Sequence, residues 1–239
     1  MKQIIPTLSL LIGLLNNLMA QPADKKSMEM GGGGFNIGYG YMDVSKLNVF
    51  IPENTSKFKN SMLLVGGSGH IIIENFVIGG SGFGIIGDEI KTDSFKVNLN
   101  GGLGTFDVGY VLINKKRLKF YPMLGIGRGG FGLQILSNKN LSIDHVVKNP
   151  GQEINISQSN FVADVSLNLD IIPFLKYNEL ENSYGGFMTG IKIGYIYSLP
   201  SSDWEYAGGD INGGPNFGYK MFYFKLILGG FGYQNNKNK

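Results

Sequence analysis

The chain has 239 residues, among them 37 glycines, 8 prolines and no cysteine, and a formal net charge of +3. This length suits one domain. The missing cysteine excludes disulfides, zinc–thiolate sites and lipid attachment at a processed cysteine, and the near-balanced charge argues against a nucleic-acid surface.

Residues 1–20 read as an export signal. Lys2 supplies the positive start, residues 8–15 are apolar apart from Ser9 and Gly13, and Ala20 is the small closing residue. The stretch is short for a membrane span, which needs about 20 apolar residues. No later stretch is long and apolar enough for a transmembrane helix, so any crossing must use strands. Residues 21–30 form a polar, flexible lead.

The pattern then predicts eight strands, over 34–44, 61–73, 76–86, 94–113, 118–136, 159–172, 186–197 and 219–233. The first sets Phe35, Ile37, Tyr39 and Tyr41 on one face, and the second does so with Leu63, Val65, Ile71 and Ile73. The third is rich in glycine. In the fourth, Phe95, Val97 and Leu99 occupy one parity, and Phe106, Val108 and Tyr110 the other. That switch predicts a bulge near Gly102 or Gly104. In the fifth, Gly125, Gly127 and Gly129 share a face. The sixth alternates most regularly: Phe161, Ala163, Val165, Leu167, Leu169 and Ile171 oppose Asp164, Ser166, Asn168 and Asp170. Such a strand meets an apolar medium on one side and a polar one on the other. The seventh opposes Phe187, Ile191, Ile193, Tyr195 and Tyr197 to Gly190, Lys192 and Gly194. The eighth is apolar on both parities in its middle, so its facing stays open.

These segments exceed the five or six residues of an ordinary strand and match the 9–11 of a tilted membrane strand. Short connections (74–75, 114–117, and a moderate 173–183) alternate with longer ones (45–60, 87–93, 137–158, 199–218). Outer-membrane barrels sort their loops this way, with short periplasmic turns and long external loops. Glycines on an inward face let a narrow barrel close. Gly31–Gly34 and the run 125–130 look superficially like phosphate-cradling loops, but no helix follows either one, so no cofactor is expected. Tyr39, Tyr41, Tyr110, Tyr121, Tyr195, Tyr197, Tyr219 and Tyr233 lie near strand ends and form a candidate interfacial girdle.

The fold class is therefore all-β, a single closed up-and-down antiparallel barrel of about eight strands over 31–233, followed by a polar tail, 234–239. At this point the chain resembles the small outer-membrane β-barrel proteins of Gram-negative bacteria. The phrase Tyr121-Pro-Met-Leu-Gly-Ile-Gly127 resembles strands of the Bacteroidetes-type members. The resemblance implies an outer-membrane location, bilayer lipid as partner, and a structural or surface-interaction role. It departs at the C-terminus, where Tyr233 is followed by six polar residues instead of closing the chain on an aromatic.

Charges within predicted strands include Lys96, Asp107, Arg128, Asp164, Asp170 and Lys192, with Lys225 a further candidate in the eighth strand, whose facing is open. Facing inward, they would pair across an eight-stranded interior and fill it. Ser68, His70 and Glu74 share a parity in the second strand, an alternative nucleophile, base and orienter for a lipid-modifying enzyme. The other histidine, His145, lies in the longest loop, and the two are too isolated to suggest a metal site. Trp204 is a candidate loop contact for an extracellular ligand or surface partner. A secreted soluble barrel with an apolar ligand inside is the inverted alternative, because alternation alone does not say which face is in.

Overall fold

A computed structural model describes residues 29–53, 55–93, 95–115, 117–137, 148, 153–179, 183–198 and 204–234. The expected export signal, residues 21–28 of the lead, His145 and the tail beyond Gln234 lie outside the described residues. The elements are β1 (Glu29–Met42), α1 (Ser45–Asn48), β2 (Ser61–Ile73), β3 (Phe76–Lys91), β4 (Phe95–Tyr110), β5 (Ile113–Lys115), β6 (Leu118–Ser137), β7 (Ile154–Asn178), β8 (Ser183–Ser198), β9 (Trp204–Tyr206), β10 (Gly209–Ile211) and β11 (Lys220–Gln234).

Eight long strands form a closed antiparallel ring in the order β1-β2-β3-β4-β6-β7-β8-β11, with β11 pairing back onto β1 and β6 onto β7. Neighbours in the ring follow one another along the chain, so the barrel is up-and-down. Closure leaves no unpaired edge on the wall. At one end lie the links 74–75, 111–117 and 179–182, together with Glu29 and Gln234. The other end carries the links 43–60, 92–94, 138–153 and 199–219.

Alternation gives the wall two opposite faces. On β7, Phe161, Val165 and Leu167 point out and are more than half exposed, whereas Asp164, Ser166, Asn168 and Asp170 point in and are buried. Ile126 at 70% and Phe222 at 66% exposure extend the outer apolar band to β6 and β11. Glycine makes the narrow interior packable. A side chain at Gly194 would come within 2.5 Å of the Tyr223 hydroxyl oxygen, and one at Gly129 within 2.6 Å of Leu103 Cβ.

Several expectations are corrected. β4 has no bulge near Gly102 or Gly104. Its register with β6 is continuous, and the only shift against β3 falls between Ile86 and Glu89 of β3. The parity switch in β4 has another cause: Val97 and Leu99 face inward, into an apolar end of the lumen. β3 continues to Lys91 after its shift, so the β3–β4 link is short. Pro173 lies within β7, at a register shift between Ile171 and Phe174, instead of in a connection. The short elements α1, β5, β9 and β10 were not expected from the pattern.

Candidate functional site: a filled lumen below a hollow mouth

The inward residues fall into three layers. At the long-loop end, an apolar cluster includes Met42, Leu64, Phe83, Leu99, Phe131 and Tyr219. At the short-turn end, a second cluster includes Met30, Ile72, Val77, Met123, Ile172 and Phe231. Each ring strand except β4, which Val111 follows directly, carries residues of both clusters with polar residues or glycines between them. On β11 the order is Tyr223, Lys225, Ile227, and on β8 it is Ile196, Lys192, Met188. On β6 the middle is Gly125 and Gly127, opposite Asp107 and Asp164. Gln158 and Asn160 of β7 are buried polar exceptions higher up.

The middle layer is an ion network. Lys192 Nζ lies 3.1 Å from Asp164 Oδ2 and 3.4 Å from Asp107 Oδ2. The Ser81 hydroxyl donates to Asp107 at 3.1 Å, and the Tyr223 hydroxyl donates to Asp164 at 2.8 Å. Tyr121 donates to Asp170 at 2.7 Å, and His70 Nε2 stands 3.3 Å from the same carboxylate. A buried charge needs partners of this kind, because desolvation otherwise costs several kcal/mol per ion. Lys225 is the loose member. Its ammonium has no hydrogen-bond partner among the described residues and rests 4.0 Å from the Phe83 ring centroid and 4.6 Å from that of Tyr223.

Of the six charges expected in the lumen, Asp107, Asp164, Asp170 and Lys192 are brought together inside it. Lys96 and Arg128 are not. Lys96 has the outward parity of β4, beside inward Val97. Arg128 has the outward parity of β6, and its guanidinium lies 4.6 Å over the Phe161 ring on the outer surface. Tyr223, Asn36, Ser81 and Thr105 belong to the inner layer and were missed. The inward parity shared by Lys225 and Tyr223 was the available signal for the first of them.

The expected girdle divides. Tyr39, Tyr41 and Tyr197 are exposed on the outer face, with Tyr110 and Tyr195 partly so. Tyr121 and Tyr219 instead fill the lumen, and Tyr233 has the inward parity and stacks on Tyr184 at 4.5 Å. The Tyr219 hydroxyl donates to the carbonyls of Gly102 and Gly130, both at 2.8 Å. The Ser68, His70 and Glu74 set is likewise dispersed. Ser68 donates to Asn36 at 3.2 Å, and Glu74 sits in the two-residue β2–β3 turn with φ 57°. The carboxylate beside His70 is Asp170.

Trp204 is not an exposed loop contact. It is buried in the hairpin β9–β10, which pairs with β7, and its indole N–H donates to the Pro215 carbonyl at 2.9 Å. It lines a cavity of about 480 Å³ at the long-loop end. One side of this cavity is the inward face of the wall, at Val97, Leu133, Ile135 and Ile156. Leu47, Phe50 and Phe58 of the β1–β2 connection and Ile211 and Asn212 beyond β9 form the rest. The Lys46 ammonium donates to the Asn216 carbonyl at 3.0 Å, joining the two connections.

A closed ring of long tilted strands, apolar outside and filled with paired charge inside, defines a membrane-spanning β-barrel of the outer-membrane type. In water each large apolar side chain of the outer band would forgo about 1.5–3 kcal/mol of burial free energy. In a bilayer it contacts hydrocarbon.

Among the solved structures similar to the chain are three outer-membrane proteins. Ail, the attachment invasion locus protein of Yersinia pestis, solved in complex with the heparin analogue sucrose octasulfate, is 15% identical, with a TM-score of 0.40 over 87% of this chain and 98% of that one. The outer membrane protein OprG of Pseudomonas aeruginosa is 12% identical, with a TM-score of 0.39 over 87% and 96%. The outer membrane protease OmpT of Escherichia coli is 8% identical, with a TM-score of 0.32 over 90% and 99%. At these values the likenesses lend nothing to a choice of ligand or activity. No family model matches the chain, and no curated protein matches it.

Proposed function

We propose that this protein is a non-enzymatic, non-conducting outer-membrane barrel whose long-loop end is presented outside the cell for surface interaction. The short turns and both strand termini then face the periplasm, as in other barrels of this type. The observation that carries this reading is the closed lumen. Two apolar layers flank the ion network, and side chains rather than open space occupy the lumen among the described residues, which supports a plugged barrel over a channel. A hydrolase reading loses support because Glu74 is outside the lumen and Ser68 bonds Asn36 instead of His70. The phrase at residues 121–127 favours a Bacteroidetes-type subfamily.

Fractionation and planar-bilayer recording test the proposal together. The expected result is a protein that pellets with outer membranes, shifts its gel mobility on boiling, and gives no conductance steps. Discrete conductance steps, or recovery in the soluble fraction, would contradict it.

A further inference from the structure

Protein interiors hold few voids larger than a water molecule, because a void forfeits dispersion contacts on every wall. The mouth cavity is not such a void, since it is partly open to the outer surface, and its volume of about 480 Å³ falls within the range of small-molecule sites. Its lining is mostly apolar. Among the described residues that line it, Asn212 carries a polar side chain, the Trp204 indole N–H is already bonded to Pro215, and none is charged. A carboxylate, an ammonium or a sugar placed there would exchange part of its hydration for a mostly apolar lining, which disfavours it.

The cavity also has a direction. Val97, Leu133, Ile135 and Ile156 present their inward faces to it, so the barrel wall stands between it and the bilayer. Below it, the upper apolar layer separates it from the ion network. Phe50 lines it yet remains 59% exposed, which puts its lip at the outer surface. The Lys46–Asn216 bond holds the two connections that form its outer sides.

We infer that this cavity is a binding site for a small, uncharged, apolar molecule that enters from the external side. The inference rests on the surface-interaction reading above and supplies the chemistry of one of its ligands.

Trp204 is the single tryptophan of the chain and lines the cavity, so it reports occupancy directly. The folded full-length protein in lipid nanodiscs is titrated with 1-bromodecane, whose heavy atom quenches indole emission on contact. Decanoate provides a charged comparison, and nanodiscs made with bromine-labelled phospholipid provide the membrane as source. The expected result is saturable quenching by 1-bromodecane, none by the labelled lipid, and no competition from decanoate. Leu133→Phe combined with Ile135→Phe, which takes up cavity volume, weakens the apparent affinity about tenfold, or about 1.4 kcal/mol.

Heat-dependent gel mobility confirms that this variant folds. Should it not fold, Ile211→Phe on the opposite wall is the second variant. Non-saturable quenching, equal quenching in the filled variants, or quenching by the labelled lipid overturns the inference. Those results leave the outer-membrane, non-conducting reading standing, because fractionation and conductance decide that reading separately.

Discussion

The middle of the tube and its external mouth are built on the same eight strands but are occupied differently. In the middle, Asp107, Asp164 and Asp170 meet Lys192, Tyr121 and Tyr223, and glycines on β6 and β8 yield their volume to those groups. At the mouth, the wall residues are Val97, Leu133 and Ile135, and the described parts of two connections fold over them around a cavity. A charged filling is directional and locks each partner in place, since an unpaired buried charge is costly. An apolar lining imposes no such geometry, so a hollow there can persist.

The largest expected effect falls on the shared cation. Lys192→Met removes the bridge between two buried carboxylates and should cost about 3–5 kcal/mol, read as a lower urea midpoint of unfolding in vesicles. The matching change at the mouth, Lys46→Met, deletes an exposed bond to a carbonyl and should move that midpoint by less than about 0.5 kcal/mol. Equal effects at the two sites would erase the contrast. Tyr223→Phe keeps the ring but removes the hydroxyl that donates to Asp164, for an expected loss of about 1.5–3 kcal/mol. Lys225→Met loses ring contacts worth up to about 2 kcal/mol but also removes a buried ammonium that lacks a hydrogen-bond partner among the described residues, so its net effect should be smaller than that of Tyr223→Phe. If it costs more than Lys192→Met, the network has been drawn around the wrong cation.

The smallest effect lies at the mouth and depends on pH. The Ser45 backbone N–H donates to the Asp43 carboxylate at 2.9 Å, ahead of α1, and holds that carboxyl below its ordinary value. A lowered folded value means that the bond's contribution is present above the unfolded value, near 4, and is lost as pH falls through the folded one. The Ser45 amide resonance should therefore titrate below about pH 4, and Asp43→Asn should abolish that titration.

Where one medium lay on each side, the sequence was legible. β7 alternates without exception from Ala163 to Ile171 because lipid lies outside and the ion layer inside, whereas inward Val162 already belongs to the upper apolar layer. β11 was ambiguous for a matching reason: Met221, Ile227 and Phe231 face apolar layers inside while Phe222, Phe224 and Leu226 face outward. Alternation carries no information where both media are apolar. The apparent bulge in β4 was the same effect, since Val97 and Leu99 belong to the upper layer. The six charges did not all go inward because parity, not charge, decides facing, and Arg128 shares the parity of Leu124 and Ile126. Trp204 was unreadable as a cavity residue because its burial depends on a hairpin that docks onto β7 from elsewhere in the chain.

The central claim is that odd positions of β7 touch hydrocarbon while even ones are sealed inside. The native chain has no cysteine, so single cysteines at successive positions from 161 to 171 can carry a spin label without background. In bilayers, collision with dissolved oxygen should be high at odd positions and low at even ones, and a water-soluble relaxing agent should reach neither. High exposure to the water-soluble agent at the odd positions, or an inverted alternation, would contradict the account.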